Sequence, residues 1–353
     1  MIDDVSWHFT RATDFASVAA RWQALCDATL RTPLLSADFV ATALLHFGRG
    51  DELVCIASGP DGPVAGAILY RKNRLVWQTF QPSQMPLGPW LQPVGCNFAA
   101  LSLSLLAHLP LPAAVLAVTQ LDPDFYARPT GKNFEVLDSI TTGKTIVAAD
   151  MQQFMKVGGA NGNQRLASEL MRRMRKAEKD HGPIILDKET AVAAADEFVS
   201  QYASMESRGW KGLAGSALAP RDRQANFYTD LMRRFAARNA ARMYTLKFGA
   251  TPAARQIAVT GDNALILLKT TYEPAFRNLG PGVTLQYRLI EDIHQSEKTI
   301  KVIEPYGPFN ESQKLWVSST RVIYHANVYR FGFLASLHRR WMMARRRKAA
   351  LLD

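Results

Sequence analysis

Two stretches of the chain alternate apolar runs with turn residues in the same order. In the first, Leu53-Val54-Cys55-Ile56-Ala57 reads as a strand, Gly59-Pro60-Asp61-Gly62 as a turn, Val64 to Tyr70 as the returning strand and Arg74-Leu75-Val76-Trp77-Gln78 as a third. In the second, Met243 to Lys247, the turn Gly249-Ala250-Thr251-Pro252, Arg255 to Val259 and Ala264 to Lys269 repeat that order, with Tyr244 following Val54 by 190 residues. A Leu-Gly-Pro turn comes next in each, Leu87-Gly88-Pro89-Trp90 and Leu279-Gly280-Pro281-Gly282, 192 residues apart. Each turn leads into a helical stretch (97–108 and 283–296) and then a short apolar strand (114–118 and 299–303). The repetition predicts an internal duplication. The expected fold class is α/β (α+β), with two tandem domains, each a mixed, mostly antiparallel sheet flanked by helices. The glycine-rich run Gly158 to Asn163 reads as a flexible junction, which sets the boundary near residue 155. The expected domains are 1–155 and 156–330, followed by a basic amphipathic tail over 331–353.

Charge divides along the same line. The formal net charge is +11, yet residues 1–150 carry 10 Lys/Arg against 13 Asp/Glu, so the remainder holds the whole positive excess. That asymmetry predicts an anionic partner for the second half: a phosphorylated cofactor, nucleic acid, an acidic glycan or an anionic lipid surface. Three cysteines without CxxC or Cys/His clustering indicate neither a disulfide framework nor a zinc site, and fit a reducing cytoplasm. Met1-Ile2-Asp3-Asp4 shows no basic region followed by an apolar stretch, so a signal peptide is not expected. The most apolar run, Phe98 to Val118, is broken by Ser102, Ser104, His108, Pro110 and Pro112, so it reads as a buried helix turning into a strand. A Gly-x-Ser-x-Gly elbow, a Walker loop, a His-Glu-x-x-His pair and an acidic metal cluster are all missing from the sequence, which argues against hydrolase, nucleotidase and metalloenzyme chemistry.

The chemistry is sought in Arg277-Asn278-Leu279-Gly280-Pro281-Gly282. Glycines at a strand-to-helix turn let backbone amides approach a pyrophosphate without a Cβ in the way, and the following helix offers its positive end. An ordinary Pro-Gly turn opening a helix is the bland reading of the same residues. The first copy carries Trp90 where the second has Gly282, and an indole there crowds a phosphate, so that domain is expected to be cofactor-free.

A meander, a glycine turn of the form Gln/Arg-x-x-Gly-x-Gly/Ala, a helix and a further strand resemble the core of the GNAT acyltransferases. The duplication, Glu206-Ser207-Arg208-Gly209-Trp210-Lys211-Gly212 and Lys269-Thr270-Thr271-Tyr272 resemble the BioF2-like/CelD-type group, related to the Fem-type peptidyltransferases. The resemblance implies two GNAT-like domains and an acyl-CoA-dependent N-acyltransferase. Acetyl-CoA or another acyl-CoA would be co-substrate, with no metal, and an amino sugar or other amine of exopolysaccharide or cell-envelope synthesis would be acceptor. It places Leu268 and Lys269 along the pantetheine arm, and the pyrophosphate on Gly280, Gly282 and the amides of Val283 and Thr284, with Arg277 as charge partner. Glu206 is the first candidate base, directly or through water, against the reading of a solvated helix residue. Glu304 is a second, against a strand-end charge facing solvent. Tyr272 is the candidate acid for the thiolate or a cap on the core. Trp210 and Lys211 are expected to bind the acceptor, and His325, in an apolar strand, to be structural.

Two other functions stay open. The donor is aminoacyl-tRNA in Fem-type enzymes, and the basic second half suits it; alternatively, the fold has become a non-catalytic binding or regulatory module. The expected partner is a small-molecule or glycan acceptor rather than nucleic acid. Residues 331–348 are apolar and basic together, suited to an anionic membrane or a phosphorylated regulator, or else to a helix packed on its own domain. A cytoplasmic protein, peripheral at the inner face of the membrane, is the corresponding expectation.

Overall fold

The computed structural model of the chain describes residues 5–60, 62–209, 218, 222–338 and 340. It forms two compact units, residues 1–140 with 322–353 and residues 141–321.

In the first unit, β1 (Ser6–Arg11), α1 (Phe15–Ala28), α2 (Ala37–Phe47), β2 (Leu53–Gly59), β3 (Gly62–Arg71), β4 (Val76–Thr79), the short β5 (Trp90–Leu91), α3 (Phe98–His108) and β6 (Val115–Leu121) follow one another. β7 (Phe134–Ile146) begins in this unit and ends in the second. There it is followed by α4 (Met151–Lys156), α5 (Gln164–His181), β8 (Ile184–Glu189), α6 (Ala195–Arg208), α7 (Arg223–Ala236), β9 (Ala241–Phe248), β10 (Thr251–Gly261), β11 (Ala264–Tyr272), α8 (Pro281–Ser296) and β12 (Val302–Glu304). β13 (Ser319–Tyr329) begins in the second unit and returns to the first.

The duplication is explicit in the strand order. β1-β2-β3-β4 run antiparallel, β4 pairs parallel with β6, and β6 pairs antiparallel with β13. In the second unit β8-β9-β10-β11 run antiparallel, β11 pairs parallel with β12, and β12 pairs antiparallel with β7. The fold is thus a mixed, mostly antiparallel sheet flanked by helices, present twice. The sixth strand of each sheet comes from the chain segment that follows the other repeat, which adjacent patterning does not show.

The division between units falls at 140/141, whereas the boundary was expected near 155, and the described residues of the expected tail fall in the first unit. The reason lies in the glycine run. A Cβ on Gly159 would stand 2.4 Å from the Leu315 carbonyl oxygen, and the Asn161 side-chain amide donates to the Lys314 and Val317 carbonyls at 2.7 and 3.0 Å. Glycine is there for close packing within the second unit, not for a loose linker.

α5 buries Ala167, Leu170, Met174 and Ala177, an i, i+3, i+4 stripe, and leaves Arg172, Arg175, Lys176 and Lys179 exposed. With α8 it covers one face of the second sheet; their shared core includes Leu285, Leu289, Ile290 and Ile293 of α8 and Tyr244, Leu246 and Phe248 of β9. The far end of α8 is pinned by charge. Glu297 takes a bidentate pair from Arg242 at 2.7 and 2.9 Å and a bond from Lys188 at 3.1 Å, while Lys188 also pairs with Asp292 at 2.8 Å. Burial pulls the Glu297 carboxyl upward, but the hydrogen bonds from Arg242 and Lys188 outweigh it and hold the group below its ordinary range. A depressed carboxylate stabilises the fold above its unfolded pKa and loses that contribution as pH falls through the folded value. Glu297→Gln is therefore expected to cost about 2 kcal/mol at pH 7. The gap from the parent should close as pH falls below about 4. Urea unfolding across pH measures it, and a gap that does not change with pH overturns the assignment.

Among the described residues no helix is long and apolar enough to cross a membrane, and no three His, Cys, Asp or Glu side chains converge to hold a metal ion.

Candidate active site

Beyond β11 the chain makes a 3-10 turn, Pro274–Leu279, reverses at Gly280 and enters α8 through Pro281. Gly280 sits in the left-handed region (φ 65°, ψ 51°), where a side chain is strained, and proline at the first helical position has no amide to leave unpaired. The amides of Val283 and Thr284 donate to the Gly280 carbonyl at 3.1 and 3.0 Å. The two groups expected to face a pyrophosphate are therefore drawn into the first turn of the helix. What the turn does present is the positive helix end without a side-chain cap, and open space at Gly282, where a Cβ would meet nothing within 4 Å. Arg277 is exposed on the 3-10 turn. A second cation, Arg173 of α5, lies closer: its guanidinium nitrogen stands 3.0 Å from the position of a Gly280 Cβ. Arg173 pairs with Glu169 one helical turn earlier. Both border a cavity of about 220 Å³ lined also by Leu166, Leu170, Val283, Glu311 and Leu315. In the sequence Arg173 is one of several cations within Gln164–His181, with nothing to tie it to a loop more than a hundred residues away.

β11 opens next to this turn. Its parallel pairing with β12 covers only Ala264–Ile266 against Val302–Glu304. On its other side the register with β10 passes from Ile257↔Lys269 to Ala258↔Leu267, so Leu268 is an extra, bulged residue. Leu267 to Lys269 thus form a strand edge that β12 does not cover, distorted at its middle. Gln256, 2% exposed, braces the bulge: its side-chain amide donates to the Ile257 and Lys269 carbonyls, both at 2.8 Å, and its oxygen accepts from the Thr270 hydroxyl. In the sequence Gln256 is one residue of a strand beside Arg255, with no local signal of this role.

Glu206 is not a solvated helix residue. It is 1% exposed, and accepts from the Tyr202 hydroxyl at 3.1 Å, the Leu218 amide at 2.9 Å and the Lys269 ammonium at 3.4 Å. The same ammonium lies 5.7 Å over the Tyr228 ring. Burial first, and then the Glu206 charge, push the phenols of Tyr202 and Tyr228 well above the ordinary tyrosine value. Two expected site residues, Glu206 and Lys269, are so brought into one network joining α6 and α7 to β11. Tyr272, half-buried, packs instead against the core between the sheet and α5/α8, on the face opposite Lys269. Glu304, 7% exposed, does not face solvent as a lone strand-end charge: Arg321 reaches it at 2.8 Å and Lys144 at 3.5 Å. Trp210 and Lys211 lie outside the described residues.

In the first unit the corresponding loop is filled by its own side chains. A Cβ on Gly88 would stand 2.0 Å from the Thr119 carbonyl oxygen. Trp90 is fully buried, stacks edge-on against Phe98 at 5.2 Å and donates from its indole to Gln92 at 2.9 Å, while the Tyr126 hydroxyl donates to the Trp90 carbonyl. The N-terminus of α3 is capped by the Asn97 side chain, which accepts the Ala100 amide at 3.1 Å. His325, partly buried and held below its ordinary pKa by that burial, accepts the Gln120 amide at 3.0 Å.

Comparison with known proteins agrees with the duplicated architecture. The family described as Acetyltransferase (GNAT) domain matches residues 164–304. Among solved structures, FemX superposes with a TM-score of 0.57 at 10% identity, covering 88% of this chain and 96% of its own. The C-terminal domain of a putative lysylphosphatidylglycerol synthetase from Agrobacterium fabrum gives 0.55 at 11% identity, over 92% and 95% of the two chains. L-PGS from Bacillus licheniformis gives 0.50 at 10%, over 88% and 91%. At these identities the likeness is one of fold. No curated protein matches the sequence.

Proposed function

We propose that the second unit, whose residues 164–304 match the family described as Acetyltransferase (GNAT) domain, transfers an acyl group from acyl-CoA, acetyl-CoA in the simplest case, to an amine. One observation carries the reading: the bulged edge of β11 at Leu267 to Lys269, which β12 does not cover, is followed through one 3-10 turn by the N-terminus of α8, which has no side-chain cap. An extended pantetheine arm pairs with such an edge through backbone hydrogen bonds, and its pyrophosphate meets the helix end at Gly280 and Gly282, with Arg173 and Arg277 beside it. In the transfer, the acceptor nitrogen forms a bond to the thioester carbon and the carbon–sulfur bond breaks. The proton leaves the amine for Glu206 by way of water, and the departing thiolate takes up a proton from solvent. Backbone amides at the bulge supply donors for the oxyanion. The first unit, its loop filled by Trp90, holds no donor. The acceptor we favour is an amino sugar or another amine of exopolysaccharide or cell-envelope synthesis.

The likeness of fold to FemX over nearly the full chain favours one competing donor, aminoacyl-tRNA. Titration with acetyl-CoA and CoA, followed by transfer assays against a panel of amines, tests the proposal. Micromolar binding and turnover support it. Indifference to CoA with salt-dependent retention of tRNA replaces the donor, and failure of both donors to turn over leaves a binding module.

A further inference from the structure

At one end of the first unit four chain segments lie side by side. The Ala114 and Val115 amides donate to the Leu75 carbonyl at 2.8 and 3.1 Å, joining the β3–β4 hairpin tip to the start of β6. The Arg330 amide donates to the Ala114 carbonyl at 2.9 Å and its guanidinium to the Ala113 carbonyl at 2.7 Å, joining β6 to the end of β13. The Tyr329 amide donates to the Asn133 carbonyl at 2.8 Å, and the Lys132 side chain lies 2.8 Å from where a Gly332 Cβ would be.

None of these segments, 71–75, 108–114, 128–133 and 330–338, contains an Asp or Glu. Arg71, Lys72, Arg74 and Lys132 are exposed on them, as is Arg340 beyond the last. So are large apolar side chains: Leu75 at 50%, Leu111 at 76%, Phe331 at 54%, Phe333 at 62% and Leu337 at 56%, with the Phe331 and Phe333 rings stacked at 5.8 Å. The helix over 332–338 is held down by its other side. Ala335 is fully buried, and the His338 ring nitrogen lies 2.9 Å from Glu135 and 2.8 Å from the Tyr329 hydroxyl. Phe331, Phe333 and Leu337 are therefore not covered by their own domain. After residue 338 the sequence adds Trp341 and six basic residues against one acid, Asp353.

We propose that this end of the first unit docks the protein on an anionic lipid surface. Phe331, Phe333, Leu337 and Leu111 enter the headgroup layer, and the ring of cations meets the lipid phosphates. A polyanion alone leaves the exposed leucines in water, whereas a membrane interface satisfies both halves of the patch. The halves come from hairpin, loop and tail, far apart in sequence, and the fold gathers them on one end of a repeat that otherwise carries more acid than base.

The test uses the full chain with vesicles of phosphatidylcholine, alone and mixed with phosphatidylglycerol. We expect co-sedimentation with the mixed vesicles only, reversed by salt. Lys72→Glu/Arg74→Glu and Phe333→Ser/Leu337→Ser should each weaken partitioning by at least about tenfold with an unchanged circular dichroism spectrum. No sedimentation at low salt, parental partitioning by the hairpin variant, or tighter retention of duplex nucleic acid than of vesicles overturns the proposal. The result does not depend on the identity of the acyl donor.

Discussion

Replacing Gly282 with tryptophan is expected to abolish measurable binding of CoA and to leave the fold intact. Nothing lies within 4 Å of the position a Cβ would take at Gly282, so the new side chain has room in the folded chain and projects over the entrance to α8. Surface changes of that kind usually stay within about 0.5 kcal/mol, a shift of no more than about 1 °C in Tm for a chain this long. Binding is different, because the indole occupies the space through which a pyrophosphate approaches the helix end, the position Trp90 fills in the first repeat. A loss of at least about a hundredfold in affinity, near 2.7 kcal/mol, is expected. Gly280→Ala separates the two effects: its φ of 65° and the Arg173 guanidinium 3.0 Å away make a Cβ costly in the fold itself, by about 1 kcal/mol. Calorimetry with CoA and thermal unfolding of both variants check this, and parental affinity in Gly282→Trp would falsify the placement of the donor on this turn.

That the same turn could be located from the sequence follows from local chemistry. Val54 and Tyr244 begin meanders with matching turns, and Leu-Gly-Pro recurs at nearly the same offset, so repeat, meander and helix start were all written in short-range pattern. Three features were not. The partners of β12 and β6 are strands β7 and β13, whose pairing is set by distant chain, and no alternation within Phe134–Ile146 or Ser319–Tyr329 names its neighbour. The bulge at Leu268 is a change of register between two strands and leaves no mark in either alone. The environment of a charge is equally hidden: Glu206 and Glu304 carry the residue types expected of surface groups, yet each is buried against cations supplied by other elements. Arg173 follows the same rule, since its approach to Gly280 depends on how α5 packs over the sheet.

The burial of Glu206 makes it the most sensitive position of the second unit. Glu206→Ala strands the Lys269 ammonium, whose side chain is 15% exposed, without its carboxylate, and also removes the acceptor for Tyr202 and for the Leu218 amide. Breaking a buried pair by removing one member typically costs about 3–5 kcal/mol, because the other charge stays desolvated. Lys269→Ala should cost at least as much, since the group left behind is 1% exposed. Glu206→Gln combined with Lys269→Met removes both charges while keeping much of the volume, and should recover more than half of either single loss, a coupling read directly from urea unfolding of the four proteins. A single-variant loss below about 1 kcal/mol would show that the pair does not hold the unit together. Turnover then separates structure from chemistry. If Glu206 only braces β11 from below, the double variant regains activity along with its stability. If Glu206 receives the proton of the attacking amine, stability returns and kcat does not, because glutamine keeps the hydrogen bonds of the network but cannot accept that proton.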